Sequence, residues 1–378
     1  MTLLTAAGLM VRSLERQLNV HLGFDPQGVT VARVTLPAAR YAPEQCTAFV
    51  ERLNERLAAV PLVTSASISS SLPFTGSSSA STLLPDVATH PDARIRYYRN
   101  IVTPEFFTTL GVSIIDGRAF TSQDRDGAPL VAIINTSAAR RLWGTERATG
   151  RRFRMGGPDS PPVEIVGITG DVRFRDLTTN LAADRVEPDV HFPYGQRTDR
   201  DIEIAVRSAD GSAIPFASLQ QAVSGIDAGL PLYRVQPLND ALGQLTSTAR
   251  FGSALLTVFS GGALLLAAIG LYGLIAYVVS LSRREIAIRL ALGADACRVT
   301  VLIVRNGMAL VITGVILGAG GAFGAGRALE SQLFQTRGFE PVMYGIVAVL
   351  LLTVTCVASL LPTRRAVRVD PQTALRAE

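Results

Sequence analysis

The chain has 378 residues, with 36 basic against 31 acidic side chains and a mean hydropathy of +0.30, so part of its length belongs in lipid. Every basic residue is arginine; without lysine, neither a G-x-x-x-x-G-K phosphate loop nor Schiff-base catalysis is encoded. Cys46, Cys297 and Cys356 form no C-x-x-C pair and no metal-ligand spacing, and the arginines alternate with acids rather than clustering with aromatics, which argues against nucleic acid.

In chain order, Met1–Val11 is apolar but, as a helix, only about 16 Å long, too short to span a bilayer. It lacks the basic start and the A-x-A site of a signal peptide. The expectation is that residues 1–19 are the outer remnant and exit segment of a membrane helix that begins before residue 1.

GVTVARVTLP (28–37) reads as a strand. In the following EQCTAFVERLNERLAAV, Phe49, Leu53 and Leu57 recur at helical spacing, Pro61 ends the helix, and LVTSASISSSLP alternates as a second strand. This is a β-α-β opening. The Ser-rich stretch 69–82 reads as a loop or flexible edge. RIRYYRNIVT, PLVAIIN, VEIVGITGDV and IEIAVRS are predicted strands, and TPEFFTTLG and TSAARRLWG short helices. Thr103 is the expected N-cap, with Pro104 at the first helical position, and Gly111 and Gly144 are the expected stops.

The result is an α+β domain over residues 20–245. His21 and His191 lie far apart, and no G-x-S-x-G, H-E-x-x-H or paired-carboxylate pattern occurs. Each is read as a surface or hydrogen-bonded structural residue. GVSIIDGRAF lacks dinucleotide-loop spacing, and Trp143 reads as packing. No catalytic residue, bound metal or cofactor is expected in this chain.

Residues 246–378 form a second, helical domain. Phe251–Ser282 carries no charge and as a helix would reach roughly 48 Å against a hydrocarbon core of about 30 Å; 306–326 and 341–363 are also uncharged and long enough to span. Arginine exceeds acid in the loop 283–305 and in the tail from Arg364, but balances it between the second and third spans. The first loop and the tail are therefore cytoplasmic and the residues just before Phe251 external.

SRREIAIRLALGA (282–294) reads as a short amphipathic cytoplasmic helix. Glu285 and Arg289 are four apart with the acid first, Ile286, Leu290 and Gly293 share a face, Gly293 closes the helix and Asp295 caps the next. Topology explains the arginines, but not the apolar stripe or the paired glutamate, which suit docking to a cytoplasmic partner. In the second span, Gly314 with Gly318 and Gly320 with Gly324 have G-x-x-x-G spacing, suited to close helix packing within the chain or across a dimer; glycine is also simply commoner in membrane helices.

SRREIAIRLALGADACRVTVLIVRNG resembles the signature of the FtsX-like permease domain of MacB-type ABC transporters. LGFDPQGVTVARVTLPAARY, LGVSIIDGRAFTSQD, VAIINTSAARRLWGTERATGRRFRM, VEIVGITGDVRFRDL and EPDVHFPYGQ resemble, in order, the MacB-like periplasmic core, and LPTRRAVRVDPQTALRAE the end of the membrane domain. The likeness is to the C-terminal half of long permeases that carry the core-plus-membrane unit twice, in which a further membrane helix precedes the core.

The resemblance implies a bacterial inner-membrane, multi-pass permease with three full spans and a large periplasmic domain. Arg283, Arg284, Glu285, Ile286, Arg289 and Gly293 would contact a separate cytoplasmic ATP-binding subunit, where ATP would be hydrolysed. A second permease half or second copy, membrane lipid and a periplasmic adaptor are the other implied partners, and export or efflux the implied role. Alternatives are a regulator that activates a periplasmic cell-wall hydrolase, a membrane-anchored outer module without an ATPase, and a non-functional truncated permease half.

Overall fold

The structure, a computed structural model, describes residues 1–76, 79–85, 95–155, 159–175, 177, 188–281, 312–324, 326–327 and 340–367. Contacts divide the chain into two compact units, Val20–Leu245 on the one hand and Met1–Asn19 with Thr246–Glu378 on the other.

In the Val20–Leu245 unit, β1 (Val29–Thr35) leads through α2 (Pro43–Ala58) to β2 (Val63–Ser69). The two strands are not neighbours: β10 (Asp201–Ser208) lies antiparallel between them, from Val29↔Arg207 to Thr35↔Asp201 on one side and pairing Glu203↔Ser69 on the other. The expected β-α-β is thus split by a strand from late in the chain. The predicted helix face is the buried one: Phe49, Leu53 and Leu57 pack on Val34, Ile68 and Ile204, joined by Leu219 of α5 (Phe216–Ser224). Fully burying each such leucine stabilises by about 2 kcal/mol. The opposite face of the sheet covers Phe106 and Phe107 of α3 (Phe106–Leu110), with Val31 and Ala205 between them and the other side.

The remaining strands are β3 (Ser79–Pro85), β4 (Ile95–Val102), β5 (Ile114–Gly117), β6 (Val131–Asn135), β7 (Arg152–Met155), β8 (Pro162–Thr169), β9 (Asp189–Pro193) and β11 (Tyr233–Pro237). β4, β3, β7, β8, β6 and β9 pair in that order, and β9 pairs back onto β4 in parallel, Tyr98↔Asp189 to Val102↔Pro193. Six strands thus close a ring, which removes their free edges. Tyr97, Ile134, Phe153, Ile165 and Phe192 share its core, with Ala138 and Ala139 of α4 (Thr136–Trp143).

Gly111 and Gly144 end α3 and α4 in the left-handed conformation, φ 67° and 66°, where a Cβ would be strained. Three expectations are corrected. Thr103 does not cap a helix: its hydroxyl accepts from Ile68 N at 3.1 Å and its own amide donates to Ile68 O, so it extends the β2 ladder, and α3 starts only at Phe106. The Ser-rich stretch is not all loop, because Ser79–Thr82 opens β3 on Arg99–Arg96 of β4. His191 is neither exposed nor hydrogen-bonded at Nδ1; it is buried among Phe106, Phe107 and Phe174, with ring centroids at 5.6, 5.3 and 6.4 Å. His21 is exposed, and Trp143 packs half-buried on the ring core. Cys46 and Cys356 are free thiols; Cys297 lies outside the described residues.

The second unit contains α1 (Thr2–Leu18), α7 (Ile312–Gly324) and α8 (Pro341–Val367), with most of α6, a helix of 44 residues (Leu238–Leu281) whose first turn belongs to the other unit's core. Among the described residues, Leu238–Tyr277 and Pro341–Ala358 are long and apolar enough to cross a membrane, and Ile312–Gly324 is a shorter apolar helix. Only 6% and 17% of the two most apolar windows are buried, so these faces need an apolar solvent. The rest of the second predicted span, 306–311 and 325–326, falls largely outside the described residues.

Candidate functional site

Helix α1 carries Arg12 and Arg16 one turn apart on one face, and both meet Glu340, the residue before Pro341 at the start of α8. Arg16 Nη2 donates to Glu340 Oε1 at 2.9 Å, and Arg12 Nη1 lies 3.2 Å from Oε2. The Glu340 carbonyl accepts from Met343 N and Tyr344 N, and its carboxylate sits at the positive end of the α8 dipole. One turn further down, a Cβ on Gly8 would lie 2.5 Å from Met343 Sδ, so a side chain there would require Met343 to shift. Ser260 Oγ of α6 donates to Leu3 O at 2.9 Å, tying a third helix to α1. These contacts were not legible as a site beforehand; the available signals were two arginines four apart on an apolar helix and a glutamate just before an uncharged span.

Of the glycines expected to pack helices, Gly318 faces α1: a Cβ there would lie 2.5 Å from Met1 Cβ. A Cβ on Gly314, Gly320 or Gly324 would meet nothing within 4 Å among the described residues. Gly321, outside the expected set, would bring a Cβ to 2.9 Å from Thr2 Cγ2. An open apolar groove of about 420 Å³ runs beside α6 and α8, lined by Leu265, Ile269, Tyr272, Val354 and Val357. Arg283, Arg284, Glu285, Ile286, Arg289 and Gly293, the expected coupling residues, lie outside the described residues.

In the Val20–Leu245 unit, Arg118 holds Asp124 through Nη1–Oδ2 at 2.7 Å and Nη2–Oδ1 at 2.9 Å, and Thr121 N donates to the same carboxylate. The Arg118 bonds keep Asp124 below the usual carboxylate range, against the opposing effect of burial. Burial, with the Arg175 charge adding to it, pushes His191 down to about 3 and so keeps it neutral. Arg175 lies 3.4 Å above the Tyr98 ring and pairs with Asp189 at 3.0 Å. Among the described residues, no three His, Cys, Asp or Glu side chains come together as metal ligands.

A mixed α+β unit on the same chain as two long apolar helices with little buried surface is the pattern of a membrane protein with a large extramembrane domain. Two family models cover most of the chain: the MacB-like periplasmic core domain matches residues 2–225 and the FtsX-like permease C-terminal domain 257–371. The chain belongs to the MacB-type family of ABC transporter permeases.

It is 24% identical over 287 residues to YknZ, an ABC transporter permease of Bacillus subtilis, covering 74% of this chain and 70% of YknZ. It is 23% identical to the pyoverdine export ATP-binding/permease protein PvdT of Pseudomonas syringae, over 70% of this chain and 40% of PvdT. To the macrolide export ATP-binding/permease protein MacB of Escherichia coli it is 24% identical, over 74% of this chain and 43% of MacB. The match therefore spans less than half of those two longer relatives. Among solved structures, the periplasmic region of MacB from Actinobacillus actinomycetemcomitans aligns at 14% identity with a TM-score of 0.40, covering 61% of this chain and 98% of that one.

Proposed function

We propose that this chain is the membrane subunit of an export-type ABC machine, in which a separate cytoplasmic subunit hydrolyses ATP and the motion reaches an outer domain over residues 20–245 through a membrane domain over 246–378. In this reading residues 251–282, 306–326 and 341–363 are three membrane spans of an inner-membrane protein, and 20–245 lie in the periplasm. Arg283, Arg284, Glu285, Ile286, Arg289 and Gly293 form the cytoplasmic helix that the ATP-binding subunit pushes, and a second permease half or second copy completes the membrane part. The outer domain is the surface for a periplasmic adaptor.

The observation that carries the reading is the succession of the two family matches along one chain, 2–225 and 257–371, with the arginine-rich segment inside the second. The α6 helix supports it physically: its first turn is buried in the outer unit's core at Leu238 and Ala241, and it continues unbroken to Leu281 just before Arg283. The absence of lysine agrees with nucleotide chemistry residing on another polypeptide.

The test is co-purification from detergent-solubilised membranes with candidate cytoplasmic ATPases, comparing wild type with E285R/R289E. The swap preserves an ion pair within the helix but inverts the charges offered to a partner. Capture by wild type and loss in the variant is the expected result; equal capture by both, or by neither, removes the coupling role.

A further inference from the structure

At the end of the strand ring remote from α4, the Arg197 guanidinium has Arg99 as a charged neighbour, and the carboxylate there pairs with Arg99. The ring's two ends are fixed by β9: Asp189 N donates to Asn135 Oδ1, where α4 begins, whereas Arg197 follows Pro193 at the other end. Arg197 Cζ lies 4.9 Å from the Phe192 ring centroid, and Phe192 meets Tyr97 edge-on at 6.4 Å. Arg99, two residues beyond Tyr97 on β4, shares its face by strand alternation.

The nearby acid is Asp199, and it is already committed. Its Oδ2 lies 3.5 Å from Arg99 Nη2, and its Oδ1 accepts the amides of Arg200 at 2.8 Å and Asp201 at 3.2 Å. Its backbone is pinned by the Tyr194 hydroxyl, which donates to the Asp199 carbonyl. No side-chain hydrogen bond or ion pair holds the Arg197 guanidinium among the described residues, and Arg99 Nε is buried without an acceptor. Burial first, and then the like charge of Arg99, lower the Arg197 guanidinium from its usual range, with Tyr97 acting in the opposite sense. Stacking on Phe192 offsets part of the desolvation but supplies no counter-charge. Among the described residues, two cations against one anion leave one positive charge, and both arginine side chains still reach solvent.

We propose that this mouth of the ring binds a small soluble oxyanion, a carboxylate or singly charged phosphate group, bridged between the outward nitrogens of Arg99 and Arg197 over the Phe192 face. The forked geometry of guanidinium suits two-point contact with either group, and a single negative charge balances the excess. The ring core below is filled by Phe153 and Phe192, both nearly fully buried, so a ligand is held at the mouth and not drawn inside.

The test is titration of the full chain in detergent micelles with inorganic phosphate and, separately, with acetate, at ionic strength held constant with sodium chloride and read by calorimetry and thermal midpoint. Saturation by at least one probe, with a midpoint on the order of millimolar, is expected. R197Q should weaken binding at least about tenfold, and R197K, which keeps the charge but not the fork, by several-fold. R96Q, on the other face of β4 over Tyr98, should leave binding unchanged. If R197Q does not fold, R197K and R99Q carry the comparison. No saturation by either probe, or equal saturation in wild type and the Arg197 and Arg99 variants, overturns the proposal. Saturation by phosphate alone or acetate alone supports it and fixes the shape of the ligand group.

Discussion

Arg16 Nη2 and Glu340 Oε1 are 2.9 Å apart, although the residues are separated by 324 positions in the chain, and Arg12 reaches the other oxygen of the same carboxylate at 3.2 Å. The arginines are 35% exposed and Glu340 19%, so screening limits the clasp to about 1 kcal/mol rather than the larger value of a buried pair. E340Q should loosen α1 on α8. In a cysteine-free background with cysteines at Gly8 and Met343, the rate of disulfide formation should fall several-fold in E340Q and equally in R12Q/R16Q. The combined variant should fall no further, because all three residues serve one contact. Effects that multiply would show that the arginines and the glutamate act independently.

His191 gives the outer unit a specific acid sensitivity. The folded state holds its imidazole near 3, whereas the unfolded chain titrates near its ordinary 6.5. Above about pH 6.5 neither state binds the proton; below it only the unfolded chain does, so stability is lost as pH falls from 6.5 toward 3, by up to about 1.4 kcal/mol per unit. H191F, which keeps an aromatic ring among Phe106, Phe107 and Phe174, should flatten that limb. Denaturation followed by the fluorescence of Trp143, the sole tryptophan, at pH 4 to 7 makes the comparison. Parallel slopes for wild type and H191F would assign the acid sensitivity to other groups.

The parts legible in the sequence were those encoded locally. The Phe49, Leu53, Leu57 stripe and the glycine stops at Gly111 and Gly144 follow from helix geometry and backbone sterics alone. What escaped depends on residues far away in the chain. Thr103 has the composition of a helix cap, but the Ile68 amide takes its hydroxyl. Ser79–Thr82 lacks the pattern of a half-buried strand and becomes one because β4 offers it a partner, while β7 takes up the other side only from Leu83 onward. The ring closure rests on parallel pairing of β4 with β9, which no local pattern announces. The Arg12, Arg16 and Glu340 clasp and the unmatched Arg197 were invisible for the same reason: a charge reads as a solvated face until its partner, or the lack of one, is known.

Asp124 is a second acid-sensitive point with a different window. Only 7% of its side chain is exposed, and it accepts from both Arg118 nitrogens and from Thr121 N and Oγ1. Its depressed pKa means that it contributes stability above the ordinary carboxylate value of about 3.9, lost as pH falls through its folded pKa. D124N should cost about 1–3 kcal/mol at neutral pH, because it breaks the forked pair. The cost should shrink below about pH 4, where His191 still contributes to the remaining slope. A D124N penalty independent of pH would mean that its shape, rather than its charge, holds the 118–124 turn.

Gly318 separates packing inside one chain from packing between chains. Its neighbour is Met1 at the start of α1, whereas a Cβ on Gly324, nearly two turns on, would meet nothing within 4 Å among the described residues. G318L should therefore lower the thermal midpoint of the detergent-solubilised chain, with an overpacking cost of about 1–3 kcal/mol reduced by whatever Met1 can yield. G324L should leave the midpoint of the monomer unchanged. If it nevertheless abolishes chemical crosslinking between copies in the membrane, the Gly320–Gly324 face packs against another chain while Gly318 serves this one. If G318L leaves the midpoint unchanged, the glycine reflects only the composition common in membrane helices and the α1–α7 contact contributes little.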